Sequence, residues 1–229
     1  MTKKAKKALL LSLRIVYFVG LLMVLLFWPA GTLRWTEAWI FLILYLLVTL
    51  SFGLYMRLKD PELYKERSSI KKNTKSFDRI ILTAYMLVFV GMFVIVGFDA
   101  VRFQWSSVPL WLKIVGFAGF LPVSYIFIAV TAHNTFLSGT VRIQEDRGHK
   151  VCTTGPYRIV RHPMYVAIIL FVFFIPLALG SLYGLIGSAV VACLFIIRTL
   201  LEDRTLMTEL DGYREYAERV RFKLIPGIW

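Results

Sequence analysis

The sequence predicts an all-α, polytopic membrane protein: a transmembrane bundle of about six spans, the last two a tight hairpin, followed by a cytoplasmic C-terminal helix. Three observations predict it. Of the 229 residues, 58% are hydrophobic and mean hydropathy is +0.69, above the balance of a water-soluble chain. The apolar residues run in blocks of roughly 18–20, the length that crosses a bilayer core. The charged residues, only 18% of the chain, cluster between those blocks. This composition excludes a soluble dinucleotide-binding enzyme, a disulfide-stapled secreted module and a disordered tail.

The spans fall near residues 9–27, 39–56, 80–98 and 110–131. The first is as long as a full crossing and lacks a small-residue cleavage site, so it reads as a retained helix rather than a signal peptide. A last apolar stretch, residues 165–197, is too long for one crossing and is interrupted by Pro176 and Gly180-Ser181. It predicts two helices in a tight hairpin; the alternative is a re-entrant pair with five true crossings. Residues 1–131 form an N-terminal helical region and residues 132–229 carry the candidate chemistry.

Charge sets the orientation. Of the 27 Lys and Arg residues, 24 fall in the N-terminal segment, residues 57–79, residues 133–161 and the tail from Arg198. Only Arg34, Arg102 and Lys113 lie on the other side. Cytoplasmic loops carry the Lys/Arg excess, which puts both termini in the cytoplasm. The net charge of +13 then points to anionic lipid headgroups rather than nucleic acid. The outer connections, around residues 28–29, 105–109 and 180–182, leave little room for chemistry. The basic loop 57–79, with Lys71-Lys72, reads as solvated and lipid-facing.

Chemistry-bearing residues concentrate between Gln144 and Tyr165. Gly155-Pro156 makes a turn. His162 precedes a proline and so avoids the helical region, while Pro163 suits the first position of a helix. That helix start, with its free N–H groups, favours an anion, and Arg158 and Arg161 reinforce the preference. A purely structural reading also fits, with the arginines as positive-inside anchors and His162 as a cap. His133 and His149 have no partner at metal-ligand spacing. Neither HExxH nor CxxC occurs, and Cys152 and Cys193 imply no disulfide framework, so no metal is expected. Transport would call for ionisable residues at mid-membrane, whereas Arg14, Glu37, Asp99 and Lys113 lie at or near span ends.

Arg198 and Glu202, four apart, share a helix face at the cytoplasmic exit of the last span. A hairpin brings them to the depth of Arg161 and His162. They predict either an ion pair or a site for a zwitterion. Leu206, Leu210, Tyr213, Ala217 and Val220 then repeat at amphipathic spacing, with Gly212 a local weakness.

These two clusters resemble the isoprenylcysteine carboxyl methyltransferase family and the related phospholipid N-methyltransferases. The resemblance lies in Gly155-Pro156-Tyr157, then Arg161-His162-Pro163-Met164-Tyr165, a helical pair, and Arg198-Thr199 with Glu202-Asp203 and Leu206. Tyr213, Tyr216, Val220 and Pro226 continue it. It covers the chain from about Ala132 onward. Leu200-Leu201 occupy positions that are acidic in some relatives, and Ala167 replaces a usual glycine.

What the resemblance implies is an integral membrane methyltransferase that uses S-adenosylmethionine on a lipophilic acceptor, such as a prenylcysteine-type carboxylate, at the cytoplasmic leaflet. By similarity, cofactor contacts fall on Gln144, on His149, Lys150, Val151 and Cys152, on Tyr157, on His162, Pro163, Met164 and Tyr165, and on Glu202. Arg198 is similar to the catalytic residue that meets the acceptor's anionic group. The chemistry of these residues agrees. A helix start at Pro163 suits the cofactor's carboxylate, Glu202 its ammonium, and Tyr157 and Tyr165 its sulfonium by cation–π attraction. The competing readings are an NADPH-dependent, sterol-reductase-like membrane enzyme and a non-enzymatic membrane scaffold.

Overall fold

The computed structural model describes residues 3–67 and 73–229, with side chains from Val16 onward. The basic run at Lys71-Lys72 lies outside them, as do the side chains of the N-terminal lysines. Among the described residues there are eight α-helices and no strand. They are α1 (Lys3–Ala30), α2 (Thr36–Lys59), α3 (Pro61–Arg67), α4 (Ser76–Gly97), α5 (Leu110–His133), α6 (Pro163–Leu179), α7 (Gly184–Glu209) and α8 (Tyr213–Arg219). A π-helical turn, Phe98–Phe103, extends α4. Among the described residues four segments are long and apolar enough to cross a membrane: Thr36–Lys59, Ser76–Phe103, Leu110–His133 and Gly184–Glu209. Val16–Ala30 and Pro163–Leu179 are shorter apolar helices.

The helices overrun the expected spans. α1 continues through Trp28 and Pro29, where an outer connection was expected. It stops instead at Gly31, whose φ of 70° is left-handed and whose N–H donates back to Phe27 O at 3.0 Å. α7 runs beyond Ile197 to Glu209 because its last turns are polar and need no apolar surroundings. The single amphipathic helix expected through Leu206, Leu210 and Tyr213 is broken: α7 ends, Gly212 takes a φ of 78°, and α8 begins. Glycine reaches that conformation without the steric penalty of a side chain. The basic loop 57–79 is not wholly solvated either. It folds α3, which buries Leu63 and Glu66.

α5 packs along α6, α4 along α7, and α1 along α4. The α5–α6 approach depends on glycine. A Cβ at Gly116 would stand 2.4 Å from the backbone nitrogen of Ala178, and one at Gly119 would stand 2.5 Å from the Phe174 ring. Small residues let membrane helices close to backbone contact, where packing replaces a hydrophobic drive that lipid cannot supply. α6 ends at Gly180 (φ 86°), where the N–H of Ser181 donates to Pro176 O at 2.8 Å. This is the six-to-one bond that closes many helices at a left-handed glycine.

One end of the bundle is fastened by Asp99. Its carboxylate accepts bonds from Ser106 N–H and Oγ, both at 2.7 Å, from Ser181 Oγ at 2.6 Å and from Tyr183 N–H at 3.2 Å. That joins the π turn to the connections before α5 and α7. Lys113 and Glu37 pair at 2.6 Å near the same end. The opposite end holds α3, the long connection 134–162, the start of α6, the end of α7, and α8.

Candidate functional site

The connection 134–162 has little regular structure, so side chains must hold its shape. Asn134 ends α5, donates from Nδ2 to the Tyr157 hydroxyl at 2.7 Å and accepts from Phe136 N–H at 2.9 Å. Gln144 is fully buried. Its Nε2 donates to Phe136 O at 2.5 Å, and its Oε1 accepts from Arg147 at 2.6 Å. A buried amide satisfied on both sides fixes the path of the loop around it. Arg142, also buried, donates to Glu66 of α3 at 2.8 Å and to Asp146 at 3.0 Å. This ties the loop down onto α3.

The start of α6 forms as expected. His162 lies outside the helix (φ −124°, ψ 59°), Pro163 takes the first position, and no side chain caps the start, where the N–H groups of Tyr165 and Val166 donate to His162 O. The backbone before it is paired with the tail of the chain. Arg161 N–H donates to Phe222 O at 2.9 Å and His162 N–H to Lys223 O at 3.0 Å.

Two acidic residues of α7 then divide the work. Asp203 accepts from Arg161 twice at 2.8 Å, from the Tyr213 hydroxyl at 2.8 Å, and from His162 Nε2 at 3.3 Å. Arg161 also donates to Val220 O at 2.8 Å and Arg221 O at 3.1 Å. Arg161 and Asp203 therefore form a buried scaffold linking α6, α7 and the tail. Glu202 instead faces a cavity and accepts a short hydrogen bond from the Tyr165 hydroxyl. His162 stacks on the Tyr165 ring at 5.5 Å with an interplanar angle of 10°.

That cavity gathers most of the expected cofactor residues. His149, Lys150, Val151 and Cys152 border it from the connection. Tyr157, His162, Met164, Tyr165 and Glu202 border it from the other elements, together with Arg198. Gln144 and Pro163 do not: Gln144 is sealed inside the loop, and Pro163 lies behind its neighbours. Arg158 and Arg161 do not border the cavity either.

Arg198 departs most from expectation. It pairs not with Glu202 but with Asp78 of α4, Nε to Oδ1 at 2.7 Å and Nη2 to Oδ2 at 3.2 Å. Nη2 also donates to Gly139 O at 3.1 Å, and the guanidinium lies 4.9 Å from the Tyr165 ring centre. Asp78 completes the junction by accepting from Val141 N–H at 2.8 Å. Asp78 belongs to no motif, although an acid at the opening of a span is a usable signal. Arg67, the last residue of α3, also borders the cavity and was read as part of a solvated loop.

The electrostatics follow burial. His149 is pushed down to about 4 by desolvation and by the nearby Arg142 and Arg147 charges, which keeps its imidazole neutral. Burial pushes the Tyr157 and Tyr213 phenols up, so both remain hydrogen-bond donors. Burial pushes the Arg67 guanidinium down from its ordinary value. The result is a cavity with one carboxylate, Glu202, several aromatic faces and cations at its margin. A set of that kind can hold a zwitterion by its two charged ends and a third, soft cation against the rings.

No curated protein matches this chain. The model of the phospholipid methyltransferase family matches residues 112–212, from α5 through the cavity-forming connection, α6 and α7 to Gly212. With its apolar helices and most of the cavity's lining inside that stretch, this region is similar to the phospholipid methyltransferase family.

Proposed function

We propose that this protein is an S-adenosylmethionine-dependent membrane methyltransferase that methylates a lipophilic acceptor, of prenylcysteine-carboxylate type or similar, at the cytoplasmic leaflet. The observation that carries this reading is Glu202. It is a cavity-facing carboxylate beside the uncapped start of α6, bordered by Tyr157, Tyr165 and the 149–152 strip, all within the family match.

The residues fit that cofactor. Glu202 suits an ammonium, the positive dipole end of α6 and exposed Lys150 suit a carboxylate, and the 149–152 backbone offers hydrogen bonds to a nucleoside. S-adenosylmethionine supplies, when bound, an electrophilic methyl group on a sulfonium. The chain's own contribution is binding, orientation and exclusion of water. His162 and Tyr165 hold Glu202 in place, Tyr157 is positioned by Asn134, and Asp203 anchors the floor without facing the cavity. An ionised carboxylate acceptor needs no general base, so positioning supplies most of the acceleration. Arg198, compensated by Asp78, adds positive potential at the wall.

The same reading includes six spans, with α6 and α7 as the final hairpin and both termini cytoplasmic. It is supported by the six apolar helices and by the Lys/Arg bias toward the cavity end. The test is calorimetric titration of the purified protein in lipid nanodiscs with S-adenosylmethionine and, separately, NADPH. Saturable binding of the first alone is the expected result. Binding of NADPH alone would replace the reading with a reductase, and binding of neither would leave a scaffold.

A further inference from the structure

Arg67 belongs to two spaces at once. It borders the polar cavity and also an apolar groove between α2 and α5, walled by Tyr45, Phe52, Phe120, Phe127 and Phe171, with a volume of ≈610 Å3. The groove's lining is mostly hydrocarbon and aromatic, and among the described residues Arg67 is the one charged side chain in it. Among the described residues the Arg67 guanidinium makes a single hydrogen bond, to Leu137 O at 3.3 Å. The other two arginines at the cavity are already compensated, Arg198 by Asp78 and Arg142 by Glu66 and Asp146. No carboxylate pairs with Arg67 among the described residues, and residues 1–15 and 68–72 contain no Asp or Glu. A half-buried guanidinium with no counter-ion invites an anion.

We propose that Arg67 is the specificity-determining residue for the methyl acceptor, holding the carboxylate of a single-chain amphiphile whose tail lies in the α2–α5 groove. The inference rests on the methyltransferase reading for its purpose, but not for its binding chemistry. It selects an anionic acceptor over an amine headgroup, because an ammonium would face Arg67 as a like charge. The groove supplies affinity and the guanidinium fixes which end points into the cavity.

The test is saturation binding of radiolabelled dodecanoate and of dodecylamine to the protein in phosphatidylcholine nanodiscs, with empty nanodiscs subtracted. Wild type is expected to favour dodecanoate by about tenfold or more, the worth of a charge-assisted hydrogen bond. Arg67→Gln should abolish the preference and Arg67→Lys should retain part of it. Ser124→Trp, which fills the groove, should weaken both ligands together. Equal binding of the two amphiphiles by wild type, or an undiminished preference in Arg67→Gln, overturns the proposal. S-adenosylmethionine binding is measured on the same samples. Its absence with the dodecanoate preference intact overturns the methyltransferase reading and leaves only the carboxylate binding by Arg67 standing.

Discussion

Arg198 of α7 donates to Asp78 of α4 across 120 positions of sequence, Nε to Oδ1 at 2.7 Å and Nη2 to Oδ2 at 3.2 Å. Both side chains are buried, 5% and 0% exposed, and Asp78 also holds the 139–141 strand of backbone through Val141. Removing one partner strands the other charge, at a cost of about 3–5 kcal/mol. Asp78→Asn and Arg198→Gln should each lower the thermal midpoint in detergent sharply. The double variant should lose clearly less than the two singles combined. Additive losses would show that the pair is not coupled.

Glu202 and Asp203 are adjacent, yet only Glu202 borders the cavity. Glu202→Gln keeps the bond from Tyr165 and removes the charge, so it should weaken S-adenosylmethionine binding about tenfold or more with little change in thermal midpoint. Asp203→Asn should do the reverse in emphasis, destabilising the fold because Arg161 loses its bidentate partner. Calorimetry and thermal unfolding on both variants check this. Equal affinity in Glu202→Gln and wild type would remove Glu202 from the site.

His149 makes a pH prediction. Its value lies at about 4 in the folded protein against an ordinary 6.5, owing first to burial and then to Arg142 and Arg147. The folded state therefore binds fewer protons than the unfolded state between those values, and stability falls as pH drops from about 6.5 to about 4. His149→Gln should flatten that part of the stability profile. Thermal midpoints of both proteins across the window are the measurement, and parallel profiles would reject the assignment.

Gly116 has no room for a side chain, because its Cβ would meet the α6 backbone at Ala178. Backbone cannot swing aside as a flexible side chain can. Gly116→Val should push α5 from α6 and cost about 1–3 kcal/mol or more, read as a lowered midpoint in denaturant. Gly53→Ala, where nothing lies within 4 Å, is the matched control and should be close to neutral.

The helices were legible because hydropathy is a local signal, readable window by window. The 149–165 and 198–202 clusters were legible for the same reason, since each is a short run of polar residues beside a span. What sequence hid is what depends on pairing across the bundle. The i,i+4 spacing of Arg198 and Glu202 suggested a partner on the same helix. The better acceptor, Asp78, stood on another helix and accepted backbone N–H as well. Arg67 was hidden by composition, because a cation among many in a basic loop looks solvated until α3 folds inward. The break at Gly212 was visible as a weakness, but the amphipathic spacing on either side concealed it. Gln144 sits in the loop interior and Pro163 at the helix start, positions that spacing alone does not reveal.

The pairing of Arg161 and His162 with Phe222 and Lys223 has a consequence for biogenesis. The ribosome delivers Phe222 and Lys223 well after the start of α6, so the backbone on that side of the cavity stays unpaired until those residues have emerged. Insertion of the spans can be complete while the ligand-binding end is still open. Closure of that side of the cavity then becomes a late step of assembly, and nascent chains halted before residue 222 would lack these two backbone bonds.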